Sequence, residues 1–331
     1  MPHLPLPALL GAAASFAAAA IVSAAPAPAR AAATSAAGST PAIAATHDAS
    51  AVRRWGEVGH RLVGAAAARA LPVDMPAFVR NAPEQLAYLN PEPDRWRSPR
   101  DVAPLDPAMD PAYSPDHFVD LELLPAGALR ARDRYGYADS LRKAGVSPQV
   151  AGFLSYRILE LTARLREDFR RWRSAPTLQE RSWIEARILD DAGILGHYVA
   201  DGANPHHTSV QYNGWTGANP KGYTPPGTNF HSRFESQYVE ANVTAADFTP
   251  LVERRPRALL PLRDSVSAYL DRTHAQLGRL YDLDKAEPFG PGTVGADHKR
   301  FTAERLAAGA TMLRDIWWTA WVASAGSAPM R

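Results

Sequence analysis

The stretch LGHYVADGANPHHTS, Leu195–Ser209, places His197 four residues before Asp201 and then sets His206 and His207 side by side. The run leading into it, TLQERSWIEARILDDAGILGHYVADGA, has apolar residues at helical spacing, and Thr177 with Glu180 three residues on forms a capping signal. On such a helix, residues i and i+4 share a face, so His197 and Asp201 could hold one metal ion. Gly202 and Pro205 stop the helix, which lets whatever follows turn elsewhere. The stretch alone does not say whether His206 or His207 is the next ligand. A lone His–acid pair four apart is common on solvated helices. Here a second such pair, His231 and Glu235, occurs further on.

Outward from this stretch the chain reads as helix. GHRLVGAAAARAL has helical periodicity, and MPAFVRNAPEQLAYL is a shorter helical segment interrupted by proline. PQVAGFLSYRILELTARLREDFRRW reads as one long amphipathic helix, and NFHSRFESQYVEAN as another. Two more are expected over about 256–280 and 299–323. Asn90–Pro115 is rich in Pro and Asp and is expected to be an extended loop, and 213–228 a Gly/Pro-rich one. No strand-like alternation, internal repeat or interdomain linker is evident. The expectation is an all-α fold, one mainly helical domain over 55–331.

The first 54 residues differ. An apolar, Ala-rich run followed by A-x-A sites reads as a signal peptide over 1–32. Its short core, broken by Pro26 and Pro28, argues against a membrane anchor. Residues 33–54 read as a disordered segment or propeptide. The expected location is therefore secreted or periplasmic. The net charge of +2 names no partner. The sequence has no Cys, which excludes disulfides and thiolate metal sites, so any zinc must take His, Asp or Glu.

Several histidines fall in short motifs with acids: WGEVGH ending at His60, SPDHFVDLE around His117, the opening stretch, and NFHSRFE from Asn229 to Glu235. In this order, with an Asp-containing loop between the first and the second, they resemble the zinc-dependent single-strand nucleases of fungi and plants (the S-one and P-one type). They also resemble the related bacterial zinc phospholipases C. The resemblance covers nearly all of the chain after Trp55.

It implies a trinuclear zinc cluster in an all-helical fold of the phospholipase C / single-strand nuclease type. One zinc would take Asp94, His117, His197 and Asp201. A second would take His207, the His two after the Pro, with His231 and Glu235. A third would take Trp55 through its amino nitrogen and carbonyl oxygen, with His60 and Asp201. The loop also offers Asp101, Asp106 and Asp110; Asp94 is chosen because PDRWR resembles the family's Asp with a basic residue three positions on. That residue, Arg97, would stabilise an anionic transition state. Asp94 would orient a zinc-bound water or take its proton. Asp190 is a candidate to support a ligating His from behind.

The long spacing from His207 to His231 and the short one from Trp55 to His60 resemble the nuclease branch. Phe118 matches a nuclease residue that stacks on a base, which would make it substrate-binding. Glu235 resembles the phospholipase branch, and Ser236 departs from the nuclease pattern. The resemblance also implies a free α-amino group on Trp55, hence a second cut after Arg53-Arg54. The expected activity is a zinc-dependent phosphodiesterase, foremost an endonuclease releasing 5′-phosphate products from single-stranded DNA or RNA. A phospholipase C is the alternative, and a metal-stapled helical protein without catalysis is the reading from another class. The expected partner is the nucleic acid (or phospholipid) substrate, with no obligate protein partner and a monomeric chain.

Overall fold

Gly56–Arg69 forms the first helix, α1, with His60, Val63, Gly64 and Ala67 on its buried face at three- and four-residue steps. The computed structural model describes residues 56–98 and 105–326. The signal peptide, the segment 33–54, Trp55 and Asp101 therefore lie outside the described residues. Two short helices follow, α2 (Ala77–Arg80) and α3 (Pro83–Leu89), separated at the proline as expected.

The segment 90–115 is not all extended. It contains α4 (Glu92–Arg95) and α5 (Met109–Tyr113), and a 3-10 turn begins at its end, Ser114–His117. Prolines start two of these turns instead of breaking them. Pro93 and Pro115 sit at second positions, where a missing N–H costs no hydrogen bond. Helix α6 (Arg134–Lys143), which the sequence reading missed, is capped by Asp133, whose side chain accepts from the Tyr135 and Gly136 amides.

The long helix expected from Pro148 is two: α7 (Pro148–Ala151) and α8 (Leu154–Arg173). Gly152 breaks the run with φ +83°, and a Cβ there would stand 2.1 Å from the Phe118 carbonyl oxygen. The break has a use. The freed amides of Phe153 and Leu154 donate to Pro115 O at 2.7 Å and Phe118 O at 3.0 Å. The turn carrying His117 is thereby pinned to the start of α8.

Helix α9 (Leu178–Asp201) runs unbroken, with the Thr177 hydroxyl accepting from the Glu180 amide at 3.1 Å. The segment expected as one helix from Asn229 is α10 (Phe230–Ser232), a π-helical turn (Arg233–Tyr238) and α11 (Val239–Asn242). After α12 (Ala245–Phe248), the helix expected over 256–280 starts only past Pro261 and splits into α13 (Leu262–His274) and α14 (Leu277–Ala286). The residues before it instead form a strap along α15 (Ala296–Ala323). Amides of Glu253, Arg257 and Leu259 donate to Thr311, Asp315 and Thr319, which recur every four residues on one face of α15.

Among the described residues the structure is helical, with no strand and one isolated bridge between Tyr212 and Gly214. The all-α expectation holds at that level. Helix α9 is the centre, packed by α1, α3, α8 and α15. Trp317 of α15 is fully buried and donates its indole N–H to Ala192 O at 3.2 Å. The result is that every residue from Asp191 to Asp201 is buried, polar ones included. A His and an Asp are thus carried to the middle of the molecule.

Candidate metal centre

Six parts of the chain meet at the buried end of α9. His197 and Asp201 come from α9, His60 from α1, and Asp94 from α4. His117 comes from the 3-10 turn 114–117, and His207 from a second one, Pro205–Thr208. His231 and Glu235 stand on α10 and the π-helical turn. Three groups of potential ligand atoms form: Asp94–His117–His197, His60–His197–Asp201 and His207–His231–Glu235. All eight residues are at least nine-tenths buried.

Asp201 is the hub. Its oxygens face His60 Nε2 at 3.4 Å, His117 Nδ1 and His197 Nε2 both at 3.3 Å, and His207 Nδ1 at 3.6 Å. Neither oxygen accepts a hydrogen bond from a described residue. Two nitrogen or oxygen ligands each about 2.0–2.1 Å from a tetrahedral ion are themselves about 3.3–3.4 Å apart. The spacing from Asp201 to His60, His117 and His197 is thus that of atoms sharing a metal, and longer than a hydrogen bond, whereas His207 Nδ1 is taken up by His117 O. In the group of His207, the His207 Nε2–Glu235 distance is 3.3 Å, His231 Nε2–Glu235 2.7 Å and His231 Nε2–His207 Nε2 3.1 Å.

The electrostatics argue the same way. Burial pushes the Asp201 carboxyl well above the usual range, reinforced by the charge of Asp94 and opposed by Arg97. Burial, together with the positive charge that His60, His117 and His207 would carry, holds His197 well below its usual range. His197 also stacks on His60 with ring centres 3.9 Å apart, which two imidazolium ions would resist. His197 is therefore held in the neutral, metal-binding form, while the Asp201 carboxylate needs a cation to stay ionised. The donor set fits zinc or a similar divalent ion.

The ring orientations are set by residues around the groups. His207 Nδ1 lies 2.7 Å from His117 O and donates to it, leaving the Nε2 lone pair towards Glu235 and His231. Tyr198 places its ring edge-on to His117 and His197, both at 5.3 Å between centres, and Arg157 covers its other side at 5.1 Å. Asn204 spans two elements: Oδ1 accepts from the His206 amide at 3.1 Å, and Nδ2 donates to Glu235 Oε2 at 3.0 Å. Asn90 Oδ1 stands 3.1 Å from His60 Nδ1. The π-helical turn is clamped by Arg233, which donates to Asp284 at 2.9 Å and to Phe289 O at 2.7 Å. Such turns recur at functional sites.

The expected ligands are brought together except Trp55, which is outside the described residues. Of the loop acids, Asp94 joins the cluster, Asp110 is a partner of Arg97, and Asp106 caps an exposed turn through the Ala108 amide. Burial qualifies the roles of two residues and leaves a third at the surface. Phe118 is only 7% exposed and its ring is pressed against Gly152, where a Cβ would lie 2.7 Å from Cδ2. No open face is offered to a base. Arg97 is 3% exposed, with Nη1 donating to Asp94 at 3.2 Å, Nε to Asp110 at 2.9 Å and Nη2 to Ser114 at 3.2 Å. It holds Asp94 in place before it does anything else. Asp190 is exposed; the buried acid on that part of α9 is Asp191, paired with Arg164 at 2.7 Å.

Sequence reasoning missed Asn90, Asn204 and Tyr198. Only Asn204 left a usable signal, as a capping residue just before Pro205. No protein-family model, curated protein or solved structure gives a significant match to the chain.

Proposed function

We propose that this chain is an exported, zinc-dependent phosphodiesterase with three zinc ions, acting foremost as an endonuclease on single-stranded DNA or RNA to leave 5′-phosphates. The observation that carries this reading is the convergence of five dispersed His/acid motifs on one buried cluster with ligand-like spacing around Asp201. His207, His231 and Glu235 would hold one ion, Asp94, His117, His197 and Asp201 another. His60 and Asp201, with Trp55, would hold the third.

Zinc so held polarises phosphate oxygens and lowers the pKa of water enough to make a nucleophile at neutral pH. The chain's own groups prepare that chemistry. His207 is fixed in the tautomer that leaves Nε2 as a ligand, and Arg97 fixes one oxygen of Asp94 so that the other can orient water. A group of three protein ligands, such as His207–His231–Glu235, leaves a coordination position open, unlike the closed four-ligand set of a structural zinc. That favours catalysis over a purely structural metal.

Two observations favour a second reading, a zinc phospholipase C. Glu235 stands where that branch has Glu, and the burial of Phe118 removes the stacking face that the nuclease branch would use. Assays of the purified protein on single-stranded DNA, RNA and phosphatidylcholine, with and without a chelator, decide between them. Chelator-sensitive cleavage of nucleic acid supports the first reading. Activity on lipid alone replaces it with the second, and bound zinc without any activity leaves the metal-stapled protein.

A further inference from the structure

His60 is steered from behind by a residue that none of the His/acid motifs contains. Asn90 directly follows α3 and is fully buried, with Oδ1 3.1 Å from His60 Nδ1. A carbonyl oxygen can only accept, so the ring proton sits on Nδ1 and Nε2 presents a lone pair. Nε2 is the atom that faces Asp201 at 3.4 Å. The reversed amide would aim an N–H at Nδ1, place the ring proton on Nε2 and close that nitrogen to a metal.

The packing is cut to admit this one amide. A Cβ on Gly196 of α9 would lie 2.3 Å from Asn90 Nδ2, and one on Gly64 of α1 would lie 2.9 Å from it. Asn90 therefore fills the space where α1, α3 and α9 converge. His207 uses a main-chain carbonyl for the same purpose, that of His117. His60 relies on a side chain, which can be exchanged without touching the backbone.

We infer that Asn90 is the positioning residue of the third metal position, setting the tautomer and ring plane of His60 while touching neither ion nor substrate. This rests on the three-zinc reading above. Outer groups that orient a ligating His typically govern 10- to 100-fold in metal affinity. An acceptor-only carboxylate can replace the amide oxygen, and an isosteric hydrocarbon cannot.

The test compares protein purified from expression of the full chain with its Asn90→Leu, Asn90→Asp and Gly196→Ala variants. Zinc content is measured after dialysis, and the affinity of the weakest ion by competition with a chromophoric chelator. Circular dichroism checks folding. The expected result is three ions in the wild type and in Asn90→Asp. Asn90→Leu keeps two and binds the third about 10- to 100-fold more weakly. Gly196→Ala, which displaces the amide, behaves like Asn90→Leu. If the Leu variant does not fold, Asn90→Ser, too short to reach His60, replaces it in the comparison. Three ions bound equally tightly in Asn90→Leu and wild type overturn the role of Asn90 and leave the three-zinc reading standing. Loss of the third ion in the Leu and Asp variants alike marks a packing role and also overturns it. A wild type that binds no zinc overturns the three-zinc reading and this inference with it.

Discussion

His207 donates its Nδ1 proton to the main-chain carbonyl of His117 at 2.7 Å, so two candidate ligands of different ions are mechanically joined. The Val119 amide returns a bond to His207 O at 2.9 Å. The two 3-10 turns that carry these histidines therefore move as one. Because the ring proton is committed to the carbonyl, only Nε2 of His207 can face Glu235 and His231 as a ligand.

His207→Ala is expected to lose one zinc and to lower metal affinity at that position by more than about 100-fold, with activity falling in parallel. His206→Ala is expected to keep full zinc content. It is not silent, though. The His206 ring is fully buried against Phe230 and His231, at 4.6 and 5.0 Å between centres, so its truncation leaves a cavity. A loss of about 2–4 kcal/mol in denaturant unfolding is expected. Zinc analysis of both variants checks the register; the opposite pattern shifts the ligand to His206.

Arg97→Ala removes the partner of a buried carboxylate. Breaking such a pair costs about 3–5 kcal/mol, and here the loss falls on Asp94, a candidate ligand 3.2 Å from the guanidinium. Weaker zinc binding in calorimetry together with lower stability is expected. Unchanged zinc affinity with lost activity would return Arg97 to a direct catalytic role.

Asn204→Ala frees Glu235 Oε2 and uncaps the turn 205–208 at once. About a 10-fold loss of zinc affinity at the His207 group is expected, with the other ions unaffected. Equal weakening of all three ions in competition titrations would show a general loosening instead.

Stability should carry a pH signature from outside the metal centre. Burial, with Asp168 and Asp190 nearby and Arg164 opposing, pushes the Asp191 carboxyl up to about 6. A folded pKa above the unfolded value means the folded state prefers the proton. This contribution is complete below about pH 4 and is lost as pH rises through about 6. Asp191→Asn is therefore expected to raise stability at pH 7–8 and to flatten the profile between pH 4 and 6. Urea melts at each pH measure it, and a variant less stable at pH 8 would contradict it.

The resemblance that places Trp55 on a zinc requires its α-amino group to be free. Helix α1 begins beside the π-helical turn, with a Cβ on Gly56 reaching to within 3.0 Å of Ser236 Oγ. Amino-terminal sequencing of the protein purified after expression of the full chain is expected to begin at Trp55. A longer amino terminus that still binds three ions equally tightly would remove the Trp55 amino group from the ligand set.

Much of this was legible in the sequence because it is local. The pairs His197/Asp201 and His231/Glu235 declare themselves by helical spacing, and Thr177 declares the start of α9. What stayed hidden depends on tertiary approach. The break at Gly152 answers to the carbonyl of Phe118, more than thirty residues away in the chain. Asn90 acquires its meaning only when Gly64 and Gly196 bring α1 and α9 against it. The burial of Phe118 and Arg97 is hidden as well, because sequence shows residue type and not burial. The segment 90–115 reads as an extended loop because the position of a proline within a turn is invisible until the turn exists.

The central claim is that the buried cluster holds catalytic zinc, and one measurement tests it most directly. Zinc per chain is determined on the purified protein, and the same sample is assayed on single-stranded DNA before chelation, after it, and after zinc is restored. The account predicts three ions, cleavage abolished by the chelator and recovered with zinc. A protein without bound zinc, or one whose cleavage of DNA persists after the zinc is removed, would contradict it.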